Sequence, residues 1–361
     1  MIINPKQIII KSMGIGIDKV KVLEIHGSTG VSTVLMGESL RSLGKYIPSE
    51  KVVIITDTNV RRHYQKDFPS CEVIEIGNGE KIKNLDTVRK ICQRLMDMET
   101  DRSSFIVGIG GGVVSDIAGF VASTYMRGVR FGFVSTTLLS QVDASVGGKN
   151  GVNLGGYKNM VGVFNQPEFV ICDINLLKTL PEKELLSGFA EIVKHAAIGD
   201  PKLFSYFEEN CEKALKLDPQ VIEKLISDSL NIKSSIVNRD EKEKGERRKL
   251  NFGHTFGHAI EKTTGASHGE GVSAGMVIAS ELSEKMGYLA PKEARKIESL
   301  LKKLKLPVRL QIDHESVLDA LRKDKKRSGS TINFVLLKAI GHAVVEEVSI
   351  NALEEAIRDF S

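Results

Sequence analysis

The sequence predicts an α/β protein with a Rossmann-like, mostly parallel sheet in its first half and a mainly α-helical second half. Three observations carry that expectation. From about residue 31 to 180, short β-branched runs alternate with amphipathic stretches; after Pro181 those runs thin out and long charged amphipathic segments succeed one another. At 361 residues the chain also exceeds what one hydrophobic core organises, so two domains are expected, 1–180 and 181–361.

Within the first half, Val52–Thr56, Phe105–Ile109, Phe131–Ser135 and Phe169–Cys172 read as buried strands, and Leu85–Met98 carries helical periodicity. Residues 1–30 hold two extended pieces, Ile8–Ile10 and Val20–Leu23, broken by Gly14 and Gly16, which predicts a hairpin added to the sheet edge. In the second half Pro201–Leu215, Pro219–Asn238 and Pro291–Leu304 each open on proline, which suits a first helical turn. The lysine-rich Leu301–Leu306 reads as a solvated helix face, since its leucines keep helical spacing.

Fifty lysines and arginines against 46 acids leave a dispersed net charge of +4, which argues against nucleic acid and leaves anionic small molecules as partners. Cys71, Cys92, Cys172 and Cys211 are widely separated and form no ligand spacing; they read as buried thiols in a reducing compartment. With no basic segment leading into a long apolar run and no run of membrane-spanning length, a cytoplasmic protein without membrane contact is expected.

The densest chemistry lies in Asn251–Glu261 and His268–Gly271, with three histidines and two carboxylates. His254 and His258 are four apart, so on a helix both imidazoles project from one face and serve one ion, or one ion and one proton transfer. A zinc enzyme needs three protein ligands and an open position; His268 is the nearest further donor, and capping or hydrogen bonding is the competing role of the pair. Strand 105–109 runs into Gly110–Gly112 and an amphipathic helix, a turn that lets phosphate approach a helix N-terminus without the full GxGxxG spacing. Asp57, ending the strand before it, stands where an acid accepts bonds from a ribose. Gly147-Gly148-Lys149, with Tyr157–Met160 nearby, reads as an anion-holding loop. Glu191 and Lys194 share a helical face among apolar neighbours, where an unpartnered charge is costly, so they face a metal or ligand or pair with each other.

Taken in order and spacing, GGGVVSDIAGF, STTLLSQVDASVGGK, GFAEIVKH, NFGHTFGHAIE and HGEGVSAGM resemble the 3-dehydroquinate synthases of the sugar-phosphate cyclase family, across nearly the whole chain from about residue 31. The resemblance implies a lyase of the shikimate pathway and aromatic amino acid biosynthesis, which converts 3-deoxy-D-arabino-heptulosonate 7-phosphate (DAHP) to 3-dehydroquinate and phosphate. Its steps are NAD-dependent oxidation, β-elimination of phosphate, reduction and aldol cyclisation. It also implies an NAD-binding N-terminal domain, a helical metal- and substrate-binding C-terminal domain, a divalent metal (zinc, with cobalt as the alternative) in the cleft between them, and a homodimer.

Residue by residue, the resemblance makes Glu191, His254 and His268 the metal ligands and leaves His258 facing substrate. It puts Lys149, Asn159 and His258 at the phosphate end, with Arg127 reaching the neighbouring subunit's site. Asp143, Lys194, Lys233, Arg247, Asn251 and Lys325 match positions around the substrate hydroxyls and carboxylate; of these, Asp143, Lys194, Lys233 and Asn251 join His258 as catalytic groups. The cofactor side comprises Asp57, Glu80, Lys83, Gly111, Gly112, Asp116, Thr136, Thr137, Lys149, Lys158 and Thr179.

Three departures from the family pattern stand out. Leu154-Gly155-Gly156-Tyr157 replaces a His-Pro-Leu-Gly-like segment, Asn150 replaces threonine, and His195 replaces tyrosine. Cyclases acting on sedoheptulose 7-phosphate share the NAD, metal and elimination steps but tend to alter the asparagine and second histidine of NFGHTFGH, both intact here. Metal-dependent alcohol and glycerol dehydrogenases share the glycine turn but lack the phosphate-loop lysines and Arg247. The complete set of polar site residues argues against a silent metal- or nucleotide-binding protein.

Overall fold

The computed structural model describes residues 11–13, 20–322, 327–328 and 331–360. The chain divides into two compact units at the junction of Leu180 and Pro181.

The first unit has strands β1 (Lys11–Met13), β2 (Val20–His26), β3 (Val31–Met36), β4 (Val52–Asp57), β5 (Glu72–Ile76), β6 (Phe105–Gly110), β7 (Arg130–Ser135), β8 (Lys149–Leu154), β9 (Tyr157–Phe164) and β10 (Phe169–Cys172), with helices α1 (Thr58–Tyr64), α2 (Leu85–Asp97) and α3 (Gly112–Thr124). Eight strands form one sheet in the order β1-β2-β3-β10-β7-β6-β4-β5. From β3 to β5 neighbours run parallel, and β6 and β10 are buried at every position, as central parallel strands covered on both faces must be. Ile54, Phe105, Val107, Ile109, Val134, Phe169 and Ile171 form the core, with the rings of Phe105 and Phe169 stacked at 5.8 Å. At the edge, β2 pairs antiparallel with β3 and β1 with β2; Ile8–Ile10, Gly14 and Gly16 lie outside the described residues.

One expectation changes here. The stretch that reads as an anion-holding loop is an antiparallel hairpin, β8 on β9. Its glycines and polar side chains mask the period-two pattern that marks a strand.

The second unit contains α4 (Glu182–Gly199), α5 (Pro201–Leu215), α6 (Pro219–Arg239), α7 (His254–Thr264), α8 (His268–Lys285), α9 (Pro291–Lys303), α10 (His314–Arg322) and α11 (Ile350–Arg358). Helices α5, α6 and α9 start at the expected prolines, and Asp200 and Asp218 cap the first two by accepting backbone N–H bonds. Strands β11 (Arg327–Ser328), β12 (Thr331–Ala339) and β13 (His342–Ser349) form an antiparallel sheet among the helices, which the reading of a helical second half did not anticipate. The centre of β12 is buried on both faces, so it lacks alternation; the left-handed Gly341, at φ +90°, is the local turn signal. No helix among the described residues is long and apolar enough to cross a membrane.

Candidate active site

Helices α7 and α8 meet backbone to backbone. A Cβ on Gly275 would stand 2.0 Å from the Gly253 carbonyl oxygen, and one on Gly271 2.8 Å from that of Gly257, so only glycine permits the approach. This contact sets His268, the first residue of α8, beside His254, His258 and Glu261, which lie on one face of α7. The His254 ring centroid is 5.2 Å from that of His258 and 5.4 Å from that of His268.

Glu191 reaches this cluster from α4, with none of its surface exposed. Its Oε1 lies 3.0 Å from His268 Nε2 and 3.5 Å from His254 Nε2, while Oε2 pairs with Lys194. The opposite ring nitrogens are held by acceptors: His268 Nδ1 is 2.9 Å from Glu261 Oε1, and His254 Nδ1 is 3.2 Å from the Phe252 carbonyl. Both Nε2 atoms therefore converge on the Glu191 carboxylate, with ligand atoms of the three residues within 4.8 Å of one another. Two imidazoles and a carboxylate, each ring fixed from behind, suit a divalent cation with an open position.

The electrostatics agree with that use. Burial alone would push the Glu191 carboxyl up, but Lys194, His254 and His268 hold it well below the usual carboxylate range. Burial alone would push His268 down, yet Glu191 and Glu261 raise it to about 10. Two buried carboxylates thus demand positive charge between them, which a bound cation would supply in place of the proton.

Of the two carboxylates in this stretch, Glu261 is the functional residue that sequence reasoning leaves without a role; its signal is its place three residues after His258 on the same helical face. Glu270 serves the fold, accepting the Ser267 N–H at 2.7 Å in a capping box that starts α8 at His268.

Other sequence-predicted residues of this unit are spread over packed neighbouring elements. Lys194 on α4, Lys233 on α6 and Arg247 in the turn Glu246–Asn251 are all buried, and that turn packs on both helices. The Asp240 carboxylate accepts N–H bonds from Lys244 (2.9 Å), Gly245 (2.8 Å) and Arg247 (3.0 Å), folding the segment that seats Arg247. Asn251 donates its amide to Glu243, and His258 is exposed. Lys325 lies outside the described residues.

In the first unit several of the predicted cofactor residues stand at the carboxyl ends of parallel strands: Asp57 ends β4, Gly111 and Gly112 follow β6, and Thr136 and Thr137 follow β7. Gly111 caps α3, Thr136 donates its N–H to the Gly110 carbonyl at 2.9 Å, and a Cβ on Gly111 would meet Thr137 Cγ2 at 2.9 Å. Lys83 and Asp116 pair at 2.5 Å. Asp57 spends one oxygen on the N–H groups of Asn59 and Val60, capping α1; burial pushes its carboxyl up despite those bonds. Thr179 ends the turn Ile174–Thr179, its hydroxyl 2.5 Å from that of Tyr64. Asp143 lies in the π-helical turn Ser140–Ala144. Lys149, Lys158 and Asn159 are exposed on the hairpin, and exposed Arg127 adopts φ +69°.

Residues 73–187 match the family described as 3-dehydroquinate synthase N-terminal, and residues 188–327 match 3-dehydroquinate synthase C-terminal. A 3-dehydroquinate synthase of Dehalococcoides mccartyi is 43% identical over 328 residues, covering 88% of this chain and 91% of that one. The chain belongs to the 3-dehydroquinate synthase family. A solved 2-deoxy-scyllo-inosose synthase complexed with carbaglucose-6-phosphate, NAD+ and Co2+ has a TM-score of 0.85 at 27% identity, covering 94% of this chain and 100% of that one. For a 2-epi-5-epi-valiolone synthase from Streptomyces hygroscopicus subsp. jinggangensis 5008 with NAD+ and Zn2+ bound, the values are 0.84, 25%, 91% and 96%.

Two departures from the 3-dehydroquinate synthase pattern have structural accounts. Asn150 donates its amide to the carbonyls of Gly148 (3.1 Å) and Asn165 (2.8 Å), bracing the glycine pair before Lys149. His195 is buried, with Nδ1 2.6 Å from the Ser229 hydroxyl of α6.

Proposed function

We propose that this chain catalyses the 3-dehydroquinate synthase reaction, converting DAHP to 3-dehydroquinate and inorganic phosphate. The observation that carries the reading is the convergence of Glu191, His254 and His268, with Glu261 and the Phe252 carbonyl fixing the two rings, in a chain of this family. NAD+ and a divalent cation, zinc with cobalt as the alternative, are the proposed cofactors, in line with the solved relatives that hold NAD+ with Co2+ or Zn2+.

In this reading Glu191, His254 and His268 hold the cation, and the Gly110–Gly112 turn with Thr136, Thr137 and the Lys83–Asp116 pair forms the NAD side. When bound, NAD+ would supply a reversible hydride acceptor and the cation Lewis acidity at a substrate oxygen. Lys149 and Asn159 bind the substrate phosphate, with Arg127 contributed by a second copy of the chain. Arg247 and Lys325 take the carboxylate; a guanidinium matches it bidentately, which favours a sugar acid over a neutral sugar phosphate. Asp143, Lys194, Lys233 and Asn251 hold the hydroxyls, and His258 holds or moves a proton at the phosphate end, sharing that work with the substrate's own phosphate.

A homodimer is part of the proposal. The β8–β9 hairpin exposes Leu154, Tyr157, Met160 and Phe164, apolar surface that a second copy would cover. The free cysteines Cys71, Cys92, Cys172 and Cys211 suit a reducing, cytoplasmic setting.

Phosphate release from DAHP, measured with NAD+ and with or without a chelator, tests the reading. Release that requires NAD+ and stops on chelation is expected. Turnover of sedoheptulose 7-phosphate with DAHP ignored would replace it with the related cyclase, and net NADH accumulation on glycerol with a dehydrogenase.

A further inference from the structure

We infer that Asn153 is a positioning residue that ties the NAD side of the first unit to the hairpin bulge that presents Lys158 and Asn159. The inference rests on the phosphate role proposed for Asn159 and on the cofactor-side roles that the family resemblance implies for Glu80 and Lys158.

The hairpin register carries the argument. Val152 pairs with Val161 and Leu154 with Tyr157, so between these pairs Asn153 alone on β8 faces Lys158, Asn159 and Met160 on β9. A bulge of this kind breaks the ladder and re-aims side chains. Asn159 within it adopts φ +54°, a left-handed conformation that asparagine tolerates better than most residues. Its N–H, displaced from the regular ladder, donates to Asn153 Oδ1 at 2.9 Å.

The other end of the same amide points to the cofactor side. Asn153 Nδ2 donates to Glu80 Oε1 at 2.8 Å, and the Asn153 backbone N–H donates to the Lys83 carbonyl at 2.9 Å. Lys83 in turn pairs with Asp116 on α3. One side chain thus needs an acceptor for a backbone N–H and a donor for a carboxylate at once. Asparagine supplies both, whereas aspartate keeps the acceptor and loses the donor.

Two variants separate these bonds. Asn153→Ala is expected to raise the KM for DAHP and the Kd for NAD+ about tenfold each, as loss of one or two hydrogen bonds implies, with kcat changed less than about threefold. It is also expected to expose the amides of residues 158–160 to hydrogen exchange. Asn153→Asp is expected to weaken NAD+ comparably while keeping the Asn159 amide protected. The inference is overturned if Asn153→Ala leaves NAD+ affinity and amide exchange unchanged, or if Asn153→Asp loses that protection as fully as alanine does. A purely structural role would lower melting temperature and kcat together without the split between kcat and KM. Failure of the functional reading is distinguishable, because the unsubstituted protein would then release no phosphate from DAHP while amide exchange would still report on the bulge.

Discussion

The proposed metal site of the second unit and the hairpin of the first solve opposite problems. Glu191, His254 and His268 bring charge into a buried site, so the protein supplies a backing acceptor for each ring and a close helix crossing at Gly253, Gly257, Gly271 and Gly275. The hairpin presents Lys149, Lys158 and Asn159 to solvent, and there the neutral amides of Asn150 and Asn153 fix the backbone that carries them. Burial makes the partners of a charge obligatory; exposure shifts the demand to main-chain geometry.

The sharpest break of this contrast comes from the histidines. His268→Ala removes one of three donors and is expected to abolish metal retention, read by elemental analysis after desalting, together with turnover. His258→Ala should keep its metal while kcat falls by about 10²–10⁴, the usual range for losing a proton-transfer group. The reverse result, metal lost from the second variant and kept by the first, would refute the division of roles along α7.

A smaller effect tests the backing shell. Glu261→Gln retains an oxygen for His268 Nδ1 but removes the charge, and metal affinity is expected to fall about 10–100-fold in chelator competition. Affinity within twofold of the unsubstituted protein would mean that the close α7–α8 crossing alone orients His268.

Much of this design is legible in the sequence, for identifiable reasons. Buried parallel strands such as Phe105–Gly110 are continuous apolar runs, and α5, α6 and α9 carry their start signal in a proline. Spacing leaves the roles of His254, His258 and His268 open, and only the resemblance singles out Glu191, distant in sequence, as their partner. Glu261 is hidden because a carboxylate that supports a ligand looks like any polar residue on a helix face until its distance to the ring is known. The Lys83–Asp116 pair joins two cofactor-side positions that the sequence offers separately. The β8–β9 hairpin escapes because its glycines and polar side chains mask the alternation a strand reading needs, and the irregularity at Asn153 is visible only in the register.

The smallest expected effect separates the two regions by pH. Asp240 organises the Arg247 seat with a carboxylate: burial pushes its carboxyl up, but the N–H bonds of Arg247, Lys244 and Gly245 outweigh this and hold it below the usual range. Its folded value lies below its unfolded one, so its stabilisation is complete above the unfolded value near 4 and fades as pH falls through the folded value. Asp240→Ala should therefore cost about 1 kcal/mol near pH 7, solvent screening keeping it at the low end for three backbone bonds, and the difference should shrink in denaturant titrations as pH falls below about 4. At the Asn153 bulge the acceptor of the Asn159 N–H is an amide oxygen, which does not titrate. Hydrogen exchange followed as pH falls below about 4, corrected for intrinsic rates, should then show residues 244–247 losing protection before Asn159 does. Loss at both places together would mean that the hairpin also depends on a carboxylate, with Glu80 the one in contact with Asn153.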